Sequence, residues 1–415
     1  MKLNPFENLP NQKLRYYPLS SLALKSYDKY QTDPYSKTRI ILMNGTEFES
    51  NCFYHQFARH ISNNDLRREI AEIRRVEQQQ QKRISSLKPI NETILETTLS
   101  YEQLAIDLTA VLAKREKDLS VKAQLDFALL EDFDHLYRFT NLLELDESEN
   151  YKNLIGSYTE IMPGRPTVAE PRHPFDDIRK PVNFMLADPI TKMNVNIITA
   201  AEQQTMNYYM NIGSFYKNEK GRKLYSEIAM IEEQHVSGYE SLKDPNSTWL
   251  ECALMHEYTE CYLYYSCYRD ETDKYLKALW EQHYQDELIH LKKIAELLYR
   301  YEGKHYSEVL ITLDFPELLS FRESKEYIRD VLKTIRLTSQ RENYVEVNSL
   351  PKNNTFDLYQ KQAVRNPSGA PSHKVIDLHI DKKGEDFRFE TAPHPEKTLR
   401  DRKVDNTCIG REKDC

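Results

Sequence analysis

The pattern of apolar and polar positions along the chain predicts long amphipathic helices. From about residue 40 to 145, apolar side chains recur at helical spacing with short breaks, which indicates four helices. The pattern resumes from about 190 to 303, with breaks at 213–221, 243–247 and 269–273. Asn246, Ser247 and Thr248 are candidate N-caps for the helix after the second break, because short polar side chains accept hydrogen bonds from free N–H groups.

The remaining segments have a different texture. Residues 1–35 are rich in Pro, Tyr and Asn and predict an irregular arm. The stretch 146–190 contains "PGRPTVAEPRHPFDD" and predicts a linker, since proline lacks a backbone donor and resists helix. A helical extension is expected at 306–335, followed at 336–415 by a polar tail that is largely extended or disordered. Within that tail "VIDLHI", 375–380, alternates as a short strand would.

Composition narrows the class of protein. The 415 residues are 40% hydrophobic and 29% charged with only 10 glycines, which favours an all-α fold. A net charge of −8 without a basic run argues against a nucleic-acid partner. No apolar stretch approaches the roughly 20 residues of a membrane helix, and the N-terminus lacks a secretory signal, so a cytoplasmic protein is expected. No Cys-x-x-Cys pair occurs, and Cys261 and Cys267 lie in a helical pattern that predicts buried free thiols.

Two Glu-x-x-His pairs carry the candidate chemistry. Glu232 and His235 lie three residues apart, so on a helix both side chains project from one face. Glu287 and His290 repeat this spacing. A further glutamate lies thirty residues before each pair, and each candidate falls near the middle of its predicted helix. The candidates are Glu202, Glu232, His235, Glu257, Glu287 and His290.

A metal site explains why such residues would share a helical core. The neighbouring apolar residues, such as Ile228, Leu254 and Leu291, predict that this face is buried. Four carboxylates there would repel one another and lose hydration at a cost of several kcal/mol each. Two divalent ions would cancel four negative charges, and neutral imidazoles would complete the coordination. The alternative interpretation is a set of polar residues on exposed faces.

This ligand pattern resembles that of a known superfamily. One Glu from each of two helices and Glu-x-x-His from each of two others is the ligand set of ferritin-like di-iron and di-manganese proteins. The resemblance covers roughly 195–303. Glu260, three residues after Glu257, is similar to an extra glutamate of rubrerythrins. The resemblance implies a dinuclear centre with two iron ions, with manganese as the alternative metal, and Glu260 as a further ligand.

The first half of the chain repeats the second. A shift of 155 residues places "EIRRVE" on "EIAMIE" and needs no gap, which indicates an internal duplication. In this register His235 corresponds to Gln80, Glu287 to Asp132 and Glu260 to Ala105. These differences favour a structural partner over a second, weaker metal site. The residues concerned are Glu47, Glu77, Glu102, Asp132 and His135.

The expected fold is all-α, with two tandem ferritin-like four-helix bundles at 36–145 and 191–305 and the linker between them. His235 and Glu257 are only 22 residues apart, whereas ferritin-like bundles usually have a long crossover between the second and third helices. Two arrangements are compatible with that spacing. Each copy forms its own up-down-up-down bundle, or the helical hairpins exchange between the copies with 146–190 as the crossover.

Three functions are compatible with this sequence. The first is an oxidoreductase that acts on peroxide or O₂ and receives electrons from a separate donor protein, because no rubredoxin-like Cys-x-x-Cys pair is present. The second is an iron-binding or iron-handling protein without turnover. The third is a helical interaction protein with a vestigial site. Tyrosines near the site are expected to be core aromatics, and His373, His379 and His394 are expected to be surface residues.

Overall fold

The structure is a computed structural model that describes residues 3–335, 337–340, 343–346, 349–384 and 392–400. The predicted helices are confirmed, and eight of those in the described residues are 22 to 29 residues long. They are α1 Pro34–Arg59, α2 Asn64–Ser85, α3 Ile94–Arg115, α4 Leu119–Asp146, α5 Pro189–Ile212, α6 Glu219–Ser241, α7 Trp249–Asp270 and α8 Lys274–Glu302. Each of the three predicted breaks at 213–221, 243–247 and 269–273 coincides with a junction between two helices, although 219–221 already belong to α6 and 269–270 still belong to α7.

Shorter elements follow α8. They are α9 Tyr306–Val309, α10 Lys325–Leu332, an antiparallel pair of strands β1 Leu337–Gln340 and β2 Asn343–Glu346, α11 Thr355–Ala363 and α12 Pro371–Lys383. The prediction of a strand at 375–380 is wrong, because that stretch lies within α12 and packs against α4 and α6. The described part of the tail is therefore largely structured. The prediction for 401–415 concerns residues outside the described ranges.

The tail histidines are not surface residues. His373, His379 and His394 are all buried, which makes the prediction for them wrong. His373 and His379 lie on α12, and the Nε2 atom of His394 lies 2.6 Å from the carbonyl oxygen of Pro163. Their burial follows from the packing of the tail on the helices, which the local sequence pattern does not record.

The N-cap residues of the helices recur at the spacing of the duplication, 155 residues. Thr248 is the N-cap of α7, as one of the three candidates predicted, and forms a capping box with Glu251. Thr93 and Glu96 form the same box at the start of α3. Caps that lie 155 residues apart in the sequence thus have the same side-chain chemistry in both copies. The pairs are Asn63 and Asn218, Thr93 and Thr248, and Asp118 and Asp273.

The chain divides into two compact units that differ from the predicted tandem domains. Unit 1 comprises Met1–Asn91, Val182–Ala201 and Lys243–Phe321, and unit 2 comprises Glu92–Pro181, Glu202–Leu242 and Arg322–Cys415. Unit 1 thus holds α1, α2, α7 and α8, while unit 2 holds α3, α4, α6 and the part of α5 that starts at Glu202. Each unit takes helices from both copies. Of the two predicted arrangements, the exchange of hairpins describes this division.

In each unit the helices pack against one another around a common core. In unit 1, α1 packs on α2, α7 on α8, α1 on α7 and α2 on α8, so each helix contacts two others. In unit 2, α3 packs on α4 and α4 on α6. Tyr209 of α5 contacts the rings of Phe139 on α4 and Tyr225 on α6. The core of each unit therefore lies among four helices.

The proline-rich segment, residues 147–188, contains only short 3-10 helices, as expected of a linker. Part of it is fixed to unit 2 by hydrogen bonds. The Thr159 hydroxyl donates to Asp107 on α3 at 2.7 Å, and the Thr167 hydroxyl donates to Asp134 on α4 at 2.8 Å. Gly164 approaches α4 so closely that a Cβ there would lie 2.0 Å from the carbonyl oxygen of Leu130. Glycine is required at this contact.

Two further expectations concern thiols and membranes. Cys261 and Cys267 are buried and free, as predicted. Cys408 and Cys415 lie outside the described residues. Among the described helices, none combines the length and the apolar character needed to cross a bilayer.

Candidate metal centres

Six buried residues converge among the four helices of unit 1. The unit 1 cluster comprises Glu47 on α1, Glu77 on α2, Glu257 and Glu260 on α7, and Glu287 and His290 on α8. Their ligand atoms form two overlapping groups, within each of which all atoms lie within 4.8 Å of one another. One group is Glu77, Glu257, Glu287 and His290, and the other is Glu47, Glu77 and Glu260. Glu77 belongs to both, so two ion-sized positions share one carboxylate.

Hydrogen bonds orient the unit 1 cluster. Nδ1 of His290 lies 2.7 Å from Glu77 and 3.0 Å from Glu287. The Gln80 amide donates to Glu287 at 2.6 Å. Two tyrosines complete the surroundings: the Tyr54 hydroxyl donates to Glu257 and the Tyr264 hydroxyl donates to Glu47.

Unit 2 contains an equivalent cluster. The unit 2 cluster comprises Glu102 on α3, Asp132 and His135 on α4, Glu202 on α5, and Glu232 and His235 on α6. One group of ligand atoms is Asp132, Glu202, Glu232 and His235, and the other is Glu102, His135 and Glu232. Glu232 belongs to both groups and corresponds to Glu77 in the duplication. Both units therefore place the shared carboxylate at the same position of the repeat.

The contacts in unit 2 repeat those in unit 1. Nδ1 of His135 lies 2.9 Å from Glu232, as His290 lies beside Glu77. The Tyr209 hydroxyl donates to Glu102 at 2.6 Å, as Tyr54 donates to its glutamate. These are equivalent contacts between equivalent residues. They indicate that the geometry of the two clusters was inherited from one repeat.

His235 has an additional partner on its far side. Its Nδ1 atom lies 3.4 Å from Glu232 and 3.6 Å from Asp132, while its Nε2 atom contacts Glu131. Glu131 lies 3.7 Å from Arg165, which comes from the proline-rich segment and also pairs with Glu170 at 3.0 Å. A carboxylate behind a histidine fixes the orientation of the ring, as in many metal sites.

Burial dominates the electrostatics of the unit 1 cluster. Burial and the neighbouring carboxylates raise the pKa of Glu47, Glu257 and Glu260 well above the usual value. Burial, together with the charge of Glu77, raises the pKa of Glu287 to about 7. Burial opposes ionisation of Glu77 as well, but His290 outweighs it and lowers the pKa of Glu77. The protein alone thus supplies too little positive charge for this many carboxylates.

The unit 2 cluster behaves similarly. Burial raises the pKa of Asp132 to about 7 and the pKa of Glu102 and Glu202 well above the usual value. For Glu232 burial is outweighed by the two histidines, which lower its pKa. Protonation of the buried carboxyls is one way to neutralise such a cluster, and bound cations are another.

Several atoms in both clusters have no hydrogen-bond partner among the described residues. They include both carboxylate oxygens of Glu260 and of Asp132, and Nε2 of His135 and of His290. All four residues are buried. Buried polar atoms are ordinarily paired, because an unpaired one costs about 1–3 kcal/mol. These oxygen and nitrogen atoms are buried and lack hydrogen-bond partners, which fits ligands of divalent metal ions.

The predicted site residues lie in two clusters rather than one. Glu257, Glu260, Glu287 and His290 are in unit 1, and Glu202, Glu232 and His235 are in unit 2. The prediction of a single site within the second copy is corrected accordingly. The reason is the exchange of hairpins, since each unit combines helices of both copies. The residues predicted to be structural partners complete the clusters: Glu47, Glu77, Glu102, Asp132 and His135.

Sequence reasoning missed some residues around the clusters and described others correctly. Glu131 gives only a weak signal, which is its position next to Asp132, and the role of Arg165 has no local signal. Tyr209, Tyr239, Tyr258 and Tyr262 are buried core aromatics, as expected. Comparisons of the chain with models of protein families, with curated proteins and with solved structures found no match.

Proposed function

We propose that each unit is a ferritin-like bundle that binds two divalent metal ions, with iron as the principal metal. We further propose that the protein is an oxidoreductase that acts on peroxide or O₂. The observation that carries this proposal is the pair of overlapping ligand groups in each unit, which share Glu77 in unit 1 and Glu232 in unit 2. A carboxylate common to two ion-sized positions is the arrangement that a dinuclear centre requires.

The unit 2 cluster supports the proposal most directly. It holds four carboxyl groups and two imidazoles, and these come from four helices. Four carboxylates balance the charge of two divalent ions, and the [Asp or Glu]-x-x-His pairs lie on α4 and α6. This is the ligand composition of ferritin-like centres, with Asp132 in place of one glutamate.

The roles of the residues follow from their contacts. Glu77 and Glu232 would bridge the two ions of their units, and His135, His235 and His290 would be terminal ligands. The hydroxyls of Tyr54 and Tyr209 would hold the carboxylates of Glu257 and Glu102 in place. When bound, two redox-active ions supply the electrons and the Lewis acidity needed to reduce peroxide or O₂.

Electrons for repeated turnover require a donor. The sequence has no Cys-x-x-Cys pair that would hold a rubredoxin-like iron, so we propose that a separate electron-donor protein reduces the centres. Tyrosine hydroxyls on the cluster carboxylates have a structural role in this proposal. They donate hydrogen bonds that favour the ionised, metal-binding form of the carboxylate.

Metal analysis tests the proposal. Metal-free protein is loaded anaerobically with Fe²⁺, desalted and analysed for iron, and the loaded protein is then mixed with peroxide or O₂. We expect about four ions per chain and oxidation of Fe²⁺ with consumption of the oxidant. Glu77→Gln and Glu232→Gln should each remove about two ions, since each residue belongs to both ligand groups of its unit.

Controls use exposed glutamates on the same helices. Glu72→Gln on α2 and Glu240→Gln on α6 should leave the iron content unchanged. Loaded wild-type protein that retains less than about one ion per chain would contradict the metal centres. Full metal content without consumption of oxidant would contradict the oxidoreductase and leave an iron-binding protein.

A further inference from the structure

The two clusters differ in the type of donor atom at one ion position, while the change from Glu287 to Asp132 keeps a carboxylate. In the register of the duplication, His235 of unit 2 corresponds to Gln80 of unit 1, and Ala105 of unit 2 corresponds to Glu260 of unit 1. Both differences concern the same ligand group. In unit 2 that group contains His235 with Asp132, Glu202 and Glu232, whereas in unit 1 it contains Glu260 with Glu47 and Glu77. One imidazole has been exchanged for one carboxylate.

Gln80 does not restore the missing nitrogen donor. Its amide nitrogen carries hydrogens and donates to Glu287 at 2.6 Å, so it orients a ligand. The amide oxygen of Gln80 is buried and has no hydrogen-bond partner among the described residues. The three ligand residues of this position, Glu47, Glu77 and Glu260, all offer oxygen atoms.

Glu260 is placed as a ligand of this position. Its side chain is 0% exposed, and both of its oxygens lack a hydrogen-bond partner among the described residues. A carboxylate oxygen of Glu260 lies within 4.8 Å of ligand atoms of Glu47 and Glu77. The group of three consists of glutamates alone, and the imidazole of His290 contacts Glu77 and not Glu260. A cation is the partner that such a carboxylate requires.

The donor set decides which cation fits. Oxygen-only sites suit hard ions such as Mn²⁺ and Mg²⁺, whereas imidazole suits Fe²⁺ and later metals. We infer that the position formed by Glu47, Glu77 and Glu260, here called the oxygen position, selects manganese. The positions that include His290, His135 or His235 then hold iron. This inference rests on the proposed function and adds that unit 1 is a mixed-metal centre while unit 2 holds one kind of metal.

A double substitution converts one donor set into the other. Gln80→His with Glu260→Ala gives unit 1 the residues that unit 2 has at the corresponding positions. Metal-free wild-type and double-variant proteins are incubated anaerobically with excess Mn²⁺ and about four equivalents of Fe²⁺ per chain, desalted and analysed for both metals. Protein-bound Mn²⁺ is also followed by electron paramagnetic resonance, which needs no turnover.

We expect wild-type protein to retain about one manganese ion per chain. The double variant lacks the Glu260 carboxylate and should retain less manganese by a factor of about ten or more. Even changes in residues that only support a ligand lower metal affinity by about 10- to 100-fold. Its total metal content should stay the same, because iron occupies the converted position. Glu260→Gln, which keeps the shape of the side chain, should lose manganese without gaining iron. Gln78→His, on the exposed face of α2, should leave the manganese content unchanged.

The outcomes separate this inference from the proposed function. Wild-type protein that binds neither metal would refute the metal centres altogether. Protein that binds about four ions per chain with the same manganese-to-iron ratio in wild type and double variant would refute the oxygen position alone. Circular dichroism of each variant at matched metal loading checks that the helical content of the protein is unchanged.

Discussion

Asp107 offers a quantitative test of how burial controls the pH dependence of stability. It lies on α3 in unit 2, is only 3% exposed, and accepts hydrogen bonds from Thr159 at 2.7 Å and from Gln103 at 3.3 Å. Both bonds go to the same oxygen, and the other oxygen has no hydrogen-bond partner among the described residues. Burial raises the pKa of Asp107 to about 7, and the two hydrogen bonds offset only part of this effect.

The sign of the effect follows from linkage. The pKa of Asp107 in the folded protein lies above its ordinary value of 3.8, so between these two pH values folding takes up a proton. Its favourable contribution is fully present below about pH 4 and is lost as the pH rises through about 7. A pKa that rises from 3.8 to about 7 corresponds to about 4 kcal/mol of unfolding free energy.

Asp107→Asn isolates this contribution. The amide has nearly the shape of the protonated carboxyl, and its oxygen can still accept the bonds from Thr159 and Gln103. We expect the variant to match wild type at pH 4 and to be more stable by up to about 4 kcal/mol at pH 8. Urea unfolding at several pH values and equal metal loading measures the difference. Asp381→Asn, an exposed aspartate on α12, should show no such pH-dependent gain.

Two results would refute the reasoning about Asp107. One is a variant whose unfolding free energy falls with pH in parallel with that of wild type. The other is a variant less stable than wild type at pH 8, which would mean that the ionised carboxylate stabilises the contact between the proline-rich segment and α3.

Three further predictions concern the clusters and the core. Glu131→Gln should weaken metal binding in unit 2 by about 10- to 100-fold, because it removes the carboxylate behind His235. Competition with a chelator measures the affinity. An unchanged affinity would exclude a positioning role for Glu131. Leu254→Ala, at a fully buried position on α7, should lower the unfolding free energy by about 2–5 kcal/mol in urea titrations, and a loss under about 1 kcal/mol would contradict tight packing there. Free metal at a concentration about 1,000 times its dissociation constant should raise the unfolding free energy by about 4 kcal/mol. If units 1 and 2 unfold together, Glu77→Gln should reduce that increase.

Local features of the fold were predictable from the sequence because they depend on neighbouring residues. The breaks between helices and the cap at Thr248 depend on polar side chains within a few residues of each helix start. The burial of Glu232 and Glu287 also follows from the apolar residues at helical spacing around them. The internal duplication was also predictable, because the two copies align without a gap at a shift of 155 residues.

The grouping of the site residues was not predictable, because partner choice between hairpins is a long-range property. His235 and Glu257 lie 22 positions apart, and this spacing fits both a turn within one bundle and a connection from one unit to the other. Glu131 and Arg165 reach the cluster only through tertiary packing. At 375–380 the apolar residues fit both an alternating and a helical period. The stretch is helical in the structure, where it packs against α4 and α6.

The mixed origin of each unit has an evolutionary consequence. A lone repeat, with two hairpins, lacks two to four of the six residues of either cluster. As a separate polypeptide it would complete them only by pairing with an identical molecule, and both centres of that symmetric homodimer would carry the same side chains. Fusion of two genes lifts this restriction, since each ligand then has its own codon. The histidine at 235 and the glutamine at 80 are a divergence that only the fused chain permits.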